Sequence, residues 1–408
     1  MSAFLQLAFA LSVILLAAKV AGYLSTRLGQ PSVLGELLVG LLLGPSVIDL
    51  THLAFVTDTH LGEIVAELGE LGVLLLMFLA GLELNLGELA KNSRVSGLSG
   101  TLGVLMPVGL GLAFGELTGL DTSHAMFLGL TLGATSVSIS AQVLIEMKKL
   151  RSRVGLGLLG AAVFDDILVI LLLSTYLALQ SGGSGLGEVL LVLGRMILYL
   201  GLAVALGLWV LPWLVRKTAQ LPIGQGVVTL AVVVAMVYGI TAEVVGGMAA
   251  ITGAFVAGLM FARTPEKHEI EAGLRSLAYS FFVPVFFVSI GLAVDLGELQ
   301  WSALWTTLAI VLIAMLGKIL GAGLGARWGR FSWRESLQLG IGMVSRGEVG
   351  LIVAKVGLDQ GLLSADLFSA IVGMVLVTTL VTPPLLRLAF AEPKKRTPPV
   401  PISESEVG

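Results

Sequence analysis

From Ala3 to Ala389 the chain is a succession of apolar runs about 20 residues long, parted by short polar loops. An α-helix of that length crosses a hydrocarbon core about 30 Å thick at about 1.5 Å per residue. Backbone polar groups in lipid must be satisfied within the spanning segment, so these continuous runs predict helices. The 408 residues are 56% hydrophobic and only 12% charged, with mean hydropathy +0.99, and no polar stretch is long enough for a separate soluble domain. Cysteine is absent, which excludes disulfides and thiolate metal sites. The net charge of -3, spread over short loops, offers no basic patch to nucleic acid, and no cofactor is expected.

The runs predict spans near 3–24, 33–48, 64–86, 95–115, 123–145, 154–178, 186–215, 222–241, 246–262, 272–293, 301–326, 335–358 and 364–389. Loop charge tests the count, because Lys and Arg collect on the cytoplasmic side. Of the 24 basic residues, 20 lie at alternate junctions, from Lys19 and Arg27, through Lys91 and Arg94 and the Lys148–Arg153 loop, to Arg327, Arg330 and Arg334 and the segment after Arg387. The intervening loops carry Asp49, Glu116, Asp121, Glu243, Asp295 and Asp359 without a Lys or Arg. This places the N-terminus outside and the C-terminus in the cytoplasm. The N-terminal run lacks a basic leader and reads as the first span rather than a cleaved signal. The segment 392–408 is rich in Pro, Ser and charge and is expected to be disordered.

The four remaining basic residues fall inside spans. Arg195 and Lys355 lie within a few turns of a span end, where a long side chain snorkels to the interface. Lys318 and Arg346 lie too deep for that. The adjacent acids Asp165 and Asp166 interrupt an otherwise apolar stretch from Val154 to Thr175. An ionised side chain at the bilayer centre costs roughly 3 kcal/mol even on insertion scales, so such residues point to function. Asp165 is about 17 Å into its span, near the midplane.

Two spans are broken. The fifth contains Gly133-Ala134-Thr135-Ser136-Val137-Ser138, and the twelfth contains Gly340-Ile341-Gly342-Met343-Val344-Ser345-Arg346-Gly347-Glu348; Gly and hydroxyl side chains offer the backbone alternatives to the helical ladder. Seven spans apart, they cross in opposite directions, as paired broken helices of inverted-topology repeats do around a midplane site. Close helix packing alone explains the glycines, but not five ionisable residues beside them. The fold expected is an all-α polytopic membrane protein with 13 transmembrane helices, inverted-topology repeats and two broken crossing helices. Neighbouring helical residues diverge by about 100°, so Asp165 and Asp166 have separate tasks: one pairs with Lys318 while the other faces a water-filled cavity. Thr135 and Ser136 supply oxygens to a cation or cap the half-helices, and Arg346 and Glu348 compensate half-helix dipoles. Glu36 and Glu83 are packing features or lie at the cytoplasmic mouth of the pathway.

These residues resemble the monovalent cation/proton antiporter superfamily, most closely the bacterial electrogenic sodium/proton antiporters. The likeness rests on Gln30-Pro31-Ser32-Val33-Leu34-Gly35-Glu36 with Gly44-Pro45, on Gly81-Leu82-Glu83-Leu84, Ala134-Thr135-Ser136, Phe164-Asp165-Asp166 and Gly317-Lys318, and on Ser345-Arg346-Gly347-Glu348. The resemblance implies that Asp166 binds the cation or proton, that Asp165 pairs with Lys318, and that a core moves like an elevator against a dimerising scaffold. It assigns 1–91 and 218–298 to the scaffold, 92–180 and 299–391 to the two core halves, and 181–217 to a linker. The function implied is exchange of a monovalent cation, Na+ before Li+ or K+, for protons across the plasma membrane of a prokaryote, by a homodimer that is not an enzyme. A K+/H+ antiporter, a sodium-coupled organic-solute symporter and a channel are the alternatives.

Overall fold

The structure, a computed structural model, describes residues 2–84, 86–180, 185–294, 304–347, 350, 353–354, 357–358 and 361–391. Among them every regular element is helical. In chain order the elements are α1 (Ala3–Arg27), α2 (Ser32–Leu43), α3 (Leu61–Glu83), α4 (Leu86–Lys91), α5 (Ser93–Leu117), α6 (Thr122–Gly133), α7 (Val137–Glu146), α8 (Arg153–Gln180) and α9 (Gly185–Trp209). They continue with α10 (Leu211–Ala219), α11 (Gly226–Thr241), α12 (Ala250–Phe261), α13 (Lys267–Leu277), α14 (Val283–Leu292), α15 (Leu304–Trp328), α16 (Trp333–Gly342) and α17 (Ala365–Phe390). Among the described residues, ten helical stretches are long and apolar enough to cross a membrane, and α2 and α12 are shorter apolar helices.

Caps set several boundaries. Ser2 accepts from the Leu5 amide, Ser364 from the Leu367 amide, and Ser332 and Glu335 form a reciprocal capping box at the start of α16. Some boundaries depart from the hydropathy reading. The expected span 186–215 is two helices, α9 and α10, with Pro212 in the first turn of α10, where its missing N–H costs nothing. The tenth span starts earlier, at Lys267, because amphipathic α13 runs through a π-helical turn (Ala278–Phe282) into α14. A second π-helical turn, Ala242–Gly246, ends α11.

The helices fall into two packed groups. In one, α2 and α3 both pack on α14, α1 packs on α2, and α12 on α3 and α11; in the other, α5 packs on α6, α8 and α15, and α15 on α16 and α17. Close approach depends on missing side chains. A Cβ on Gly258 of α12 would lie 2.0 Å from the Phe78 carbonyl oxygen of α3, and one on Gly321 of α15 would lie 2.2 Å from the Leu102 carbonyl oxygen of α5. The seam between the groups is crossed by α7, which touches α2 and α3 as well as α8 and α17.

Gly321→Val is therefore expected to force α5 and α15 apart and to cost about 1–3 kcal/mol, the usual penalty of overpacking. Gly201→Ala on α9, where nothing lies within 4 Å, is expected to be neutral or slightly stabilising. Thermal unfolding of the two variants in detergent checks both; equal midpoints would contradict the packing.

Candidate functional site

The helical ladder stops at Gly133 and resumes at Val137, with Ala134 and Ser136 in extended conformation. Across from it α16 ends at Gly342, and Val344–Gly347 are non-helical. The two breaks satisfy one another. The Ser136 amide donates to the Ser345 carbonyl (2.9 Å), the Ser345 hydroxyl to the Ser136 carbonyl (2.5 Å), and the Ser140 hydroxyl to the Gly342 carbonyl (2.6 Å). Buried backbone groups freed from a helix must find such partners.

Arg346 is fully buried beside these segments. It donates to the carbonyls of Leu132 (2.8 Å) at the end of α6, Ala314 (3.2 Å) in α15 and Met343 (3.3 Å) at the end of α16, while the Thr379 hydroxyl donates to the Arg346 carbonyl (2.6 Å). One guanidinium thus sits at the negative ends of both half-helices. Its expected partner in that task, Glu348, lies outside the described residues, as does Lys355.

Asp165 and Lys318 are fully buried, and the Lys318 ammonium donates to Asp165 Oδ1. Asp165 Oδ2 has no hydrogen-bond partner among the described residues, and Arg346 is within electrostatic reach of this carboxylate. Asp166, next in sequence on α8, faces elsewhere. It lines a cavity of about 10 Å³, close to the space one water needs. Val137, at the start of α7, lines the same cavity, as do Met77 of α3 and Ile251, Thr252 and Phe255 of α12. Asp166 therefore lies at the seam between the helix groups. The Ser136 hydroxyl pairs with Ser138 (3.0 Å), whereas the buried Thr135 hydroxyl has no partner among the described residues. Asp165, Asp166, Lys318 and Arg346 sum to zero formal charge when both acids are ionised.

Other expected positions fall away from this cluster. Glu83 is joined to Arg275 (2.5 Å), which also holds Glu271 (2.9 Å), so its observed role is an ion pair between α3 and α13. Glu36 is buried in α2, within electrostatic reach of Lys19 and Glu146. Arg195 donates to the carbonyls of Val244 and Val245, so it caps the π-helical turn after α11 rather than simply snorkelling.

Hydropathy and motif reading missed two cross-seam contacts. Thr252 Oγ1 donates to Asp166 Oδ2 at 3.2 Å. Glu146 of α7 accepts from the amide (2.8 Å) and hydroxyl (2.5 Å) of Ser32 and from Gln142 (2.9 Å), while Tyr279 donates to Gln142 (3.0 Å). The only sequence signals were a lone hydroxyl in the apolar run Ala249–Phe261 and a lone acid ending span five.

Two helix breaks that hydrogen-bond to one another, a buried ion pair and an acid in a small cavity between two helix groups define a polytopic membrane protein built to handle a small charged solute. The family described as the transmembrane region of sodium/hydrogen exchangers matches residues 13–391, and the chain belongs to that family. It is 41% identical to the Na(+)/H(+)-K(+) antiporter GerN of Bacillus cereus, over 95% of this chain and 97% of that one. It is 36% identical to a Na(+)/H(+) antiporter of Enterococcus hirae, over 92% and 96% of the two chains. In structure it resembles the sodium proton antiporter MjNhaP1 of Methanocaldococcus jannaschii, with TM-score 0.65 over 95% of this chain and 97% of that one, at 18% identity.

Removing one member of a buried ion pair leaves an uncompensated charge, at a cost of about 3–5 kcal/mol. Lys318→Met is accordingly expected to lower the thermal midpoint sharply, and Lys318→Met with Asp165→Leu to recover most of it. A double variant no more stable than the single one would refute this account of the pair.

Proposed function

We propose that this protein is a secondary antiporter that exchanges Na+ for protons by alternating access, with Asp166 as the shared site. The observation that carries the reading is Asp166 itself: a buried acid on a one-water cavity at the seam, beside a charge-balanced ion pair, in a member of the sodium/hydrogen exchanger family. An ionised carboxylate crosses a low-dielectric barrier poorly, and a proton or a cation neutralises it equally well. Because the two compete for one group, each is carried only in the other's absence, and exchange follows.

Asp165 and Lys318 serve the second half of the bookkeeping. Cation binding at Asp166 adds a positive charge next to Lys318, and release of a proton from the Lys318–Asp165 pair relieves it; two protons per cation then make the cycle electrogenic. Thr135, whose hydroxyl is buried, and Ser136 are assigned as oxygen ligands, and Arg346 with Glu348 as compensation for the half-helix ends. Thirteen crossings are assigned, a reading supported by the ten long apolar stretches among the described residues, by the short helices α2 and α12 and by the segment beginning with α16. The helices α5–α8 and α15–α17 are assigned to a core of two inverted halves that slides like an elevator, and α1–α3 and α11–α14 to a scaffold that pairs with a second copy. The N-terminus is assigned to the outside and the C-terminus to the cytoplasm of a prokaryotic plasma membrane.

Asp166→Asn in proteoliposomes is expected to abolish cation-driven proton efflux from a vesicle-trapped pH dye; undiminished exchange would rule the assignment out. A panel of Na+, Li+ and K+ with a membrane-potential dye identifies the cation, and wild-type exchange without any potential would contradict two-for-one coupling. Transport is expected to rise with pH from the acid side, since proton occupancy of the shared acid falls as pH rises; a rate that falls throughout the range would count against competition.

A further inference from the structure

Five threonine hydroxyls inside these helices stay local. Those of Thr131, Thr175, Thr241, Thr378 and Thr382 each donate to the carbonyl four residues earlier in their own helix. Thr252 does not. Three residues into α12 and 3% exposed, it donates to the carboxylate of Asp166, which comes from the other helix group. The surrounding walls contributed by α3 and α12, namely Met77, Ile251 and Phe255, are apolar. Thr252 Oγ1 is thus a polar atom that the α12 side of the seam brings to the acid at the cavity.

We infer that Thr252 is a cation ligand and sets the affinity of the site, an inference that rests on the assignment of Asp166 as the exchange site. A hydroxyl has one donor and two acceptor positions, so it bonds the ionised carboxylate as a donor and, after rotation about its C–O bond, turns its oxygen to a cation held there. The cavity has room for about one water. A cation inside it sheds most of its hydration shell, and each protein oxygen that replaces a water counts directly in affinity. Because α12 packs mainly on α3 and α11, this ligand belongs to the group opposite α8, and the cation is gripped from both sides of the seam.

Thr252→Val keeps the volume and removes the oxygen, whereas Thr252→Ser keeps the oxygen and removes a methyl. With Na+ titrated at fixed pH in proteoliposomes, Thr252→Val is expected to raise KM by about fivefold or more while saturating turnover stays within about twofold, and Thr252→Ser to keep the wild-type KM. Calorimetric titration of Na+ into the purified variants is expected to show the same loss of affinity, and it reports on Thr252→Val even where turnover fails. An unchanged or lowered KM in Thr252→Val, or an equal rise in Thr252→Ser, overturns the inference. Asp166→Asn measured alongside separates the two claims: if it exchanges normally, the site assignment falls and this inference with it. If it is silent while Thr252→Val matches the wild type, only the role of Thr252 falls.

Discussion

The Lys318–Asp165 pair is the interaction around which the rest is arranged, because two ions with no exposed surface survive in a membrane protein only in contact with each other. Bringing them together demands that α15 and α8 approach through α5. That in turn requires α5 and α15 to pack almost backbone to backbone, which the glycines of α15 permit. Asp166 inherits its position from this arrangement. Being one residue on, it is rotated by about 100° out of the paired cluster and onto the seam.

The second constraint is electrostatic and involves no acid at all. Breaking a helix in the middle of a bilayer exposes carbonyls at its cut end, and two such ends meet here. Arg346 answers both, with bonds to Leu132 and Met343 and a third to Ala314 in a neighbouring helix. A lysine, with a single nitrogen on a flexible stem, lacks the fork geometry to reach three carbonyls on three elements. The same guanidinium adds its charge to the neighbourhood of Asp165, so the scaffolding of the break and the charge balance of the ion pair are one structure.

Much of this was legible in the residues. Hydropathy located most membrane helices within a few residues, and the glycine and hydroxyl clusters at 133–140 and 340–347 marked both breaks. The charges at Asp165 and Lys318 stood out because lipid makes them costly. What escaped was of a different kind. Periodicity cannot show that Pro212 divides a long apolar run into α9 and α10, or that Lys267–Leu277 joins a span through a π-helical turn. Nor can it reveal a partner: Glu83 beside Arg275, Arg195 on the Val244 and Val245 carbonyls and Thr252 on Asp166 are pairings between residues 49 or more positions apart. A lone hydroxyl in an apolar run carries no label of what it touches.

Glu146 illustrates how far such a pairing reaches. The residue preceding α2 is Pro31, which has no side-chain acceptor to close the first turn, and a carboxylate from α7 takes that place by accepting both the amide and the hydroxyl of Ser32. The start of one helix is therefore completed by a residue on the far bank of the seam. Should α7 ever glide past α2, a donor pair would be stranded at the moment of departure and would have to be rehydrated. The two helix groups are thus tied at a second point, by the Glu146–Ser32 bonds, separate from the contact of Thr252 with Asp166.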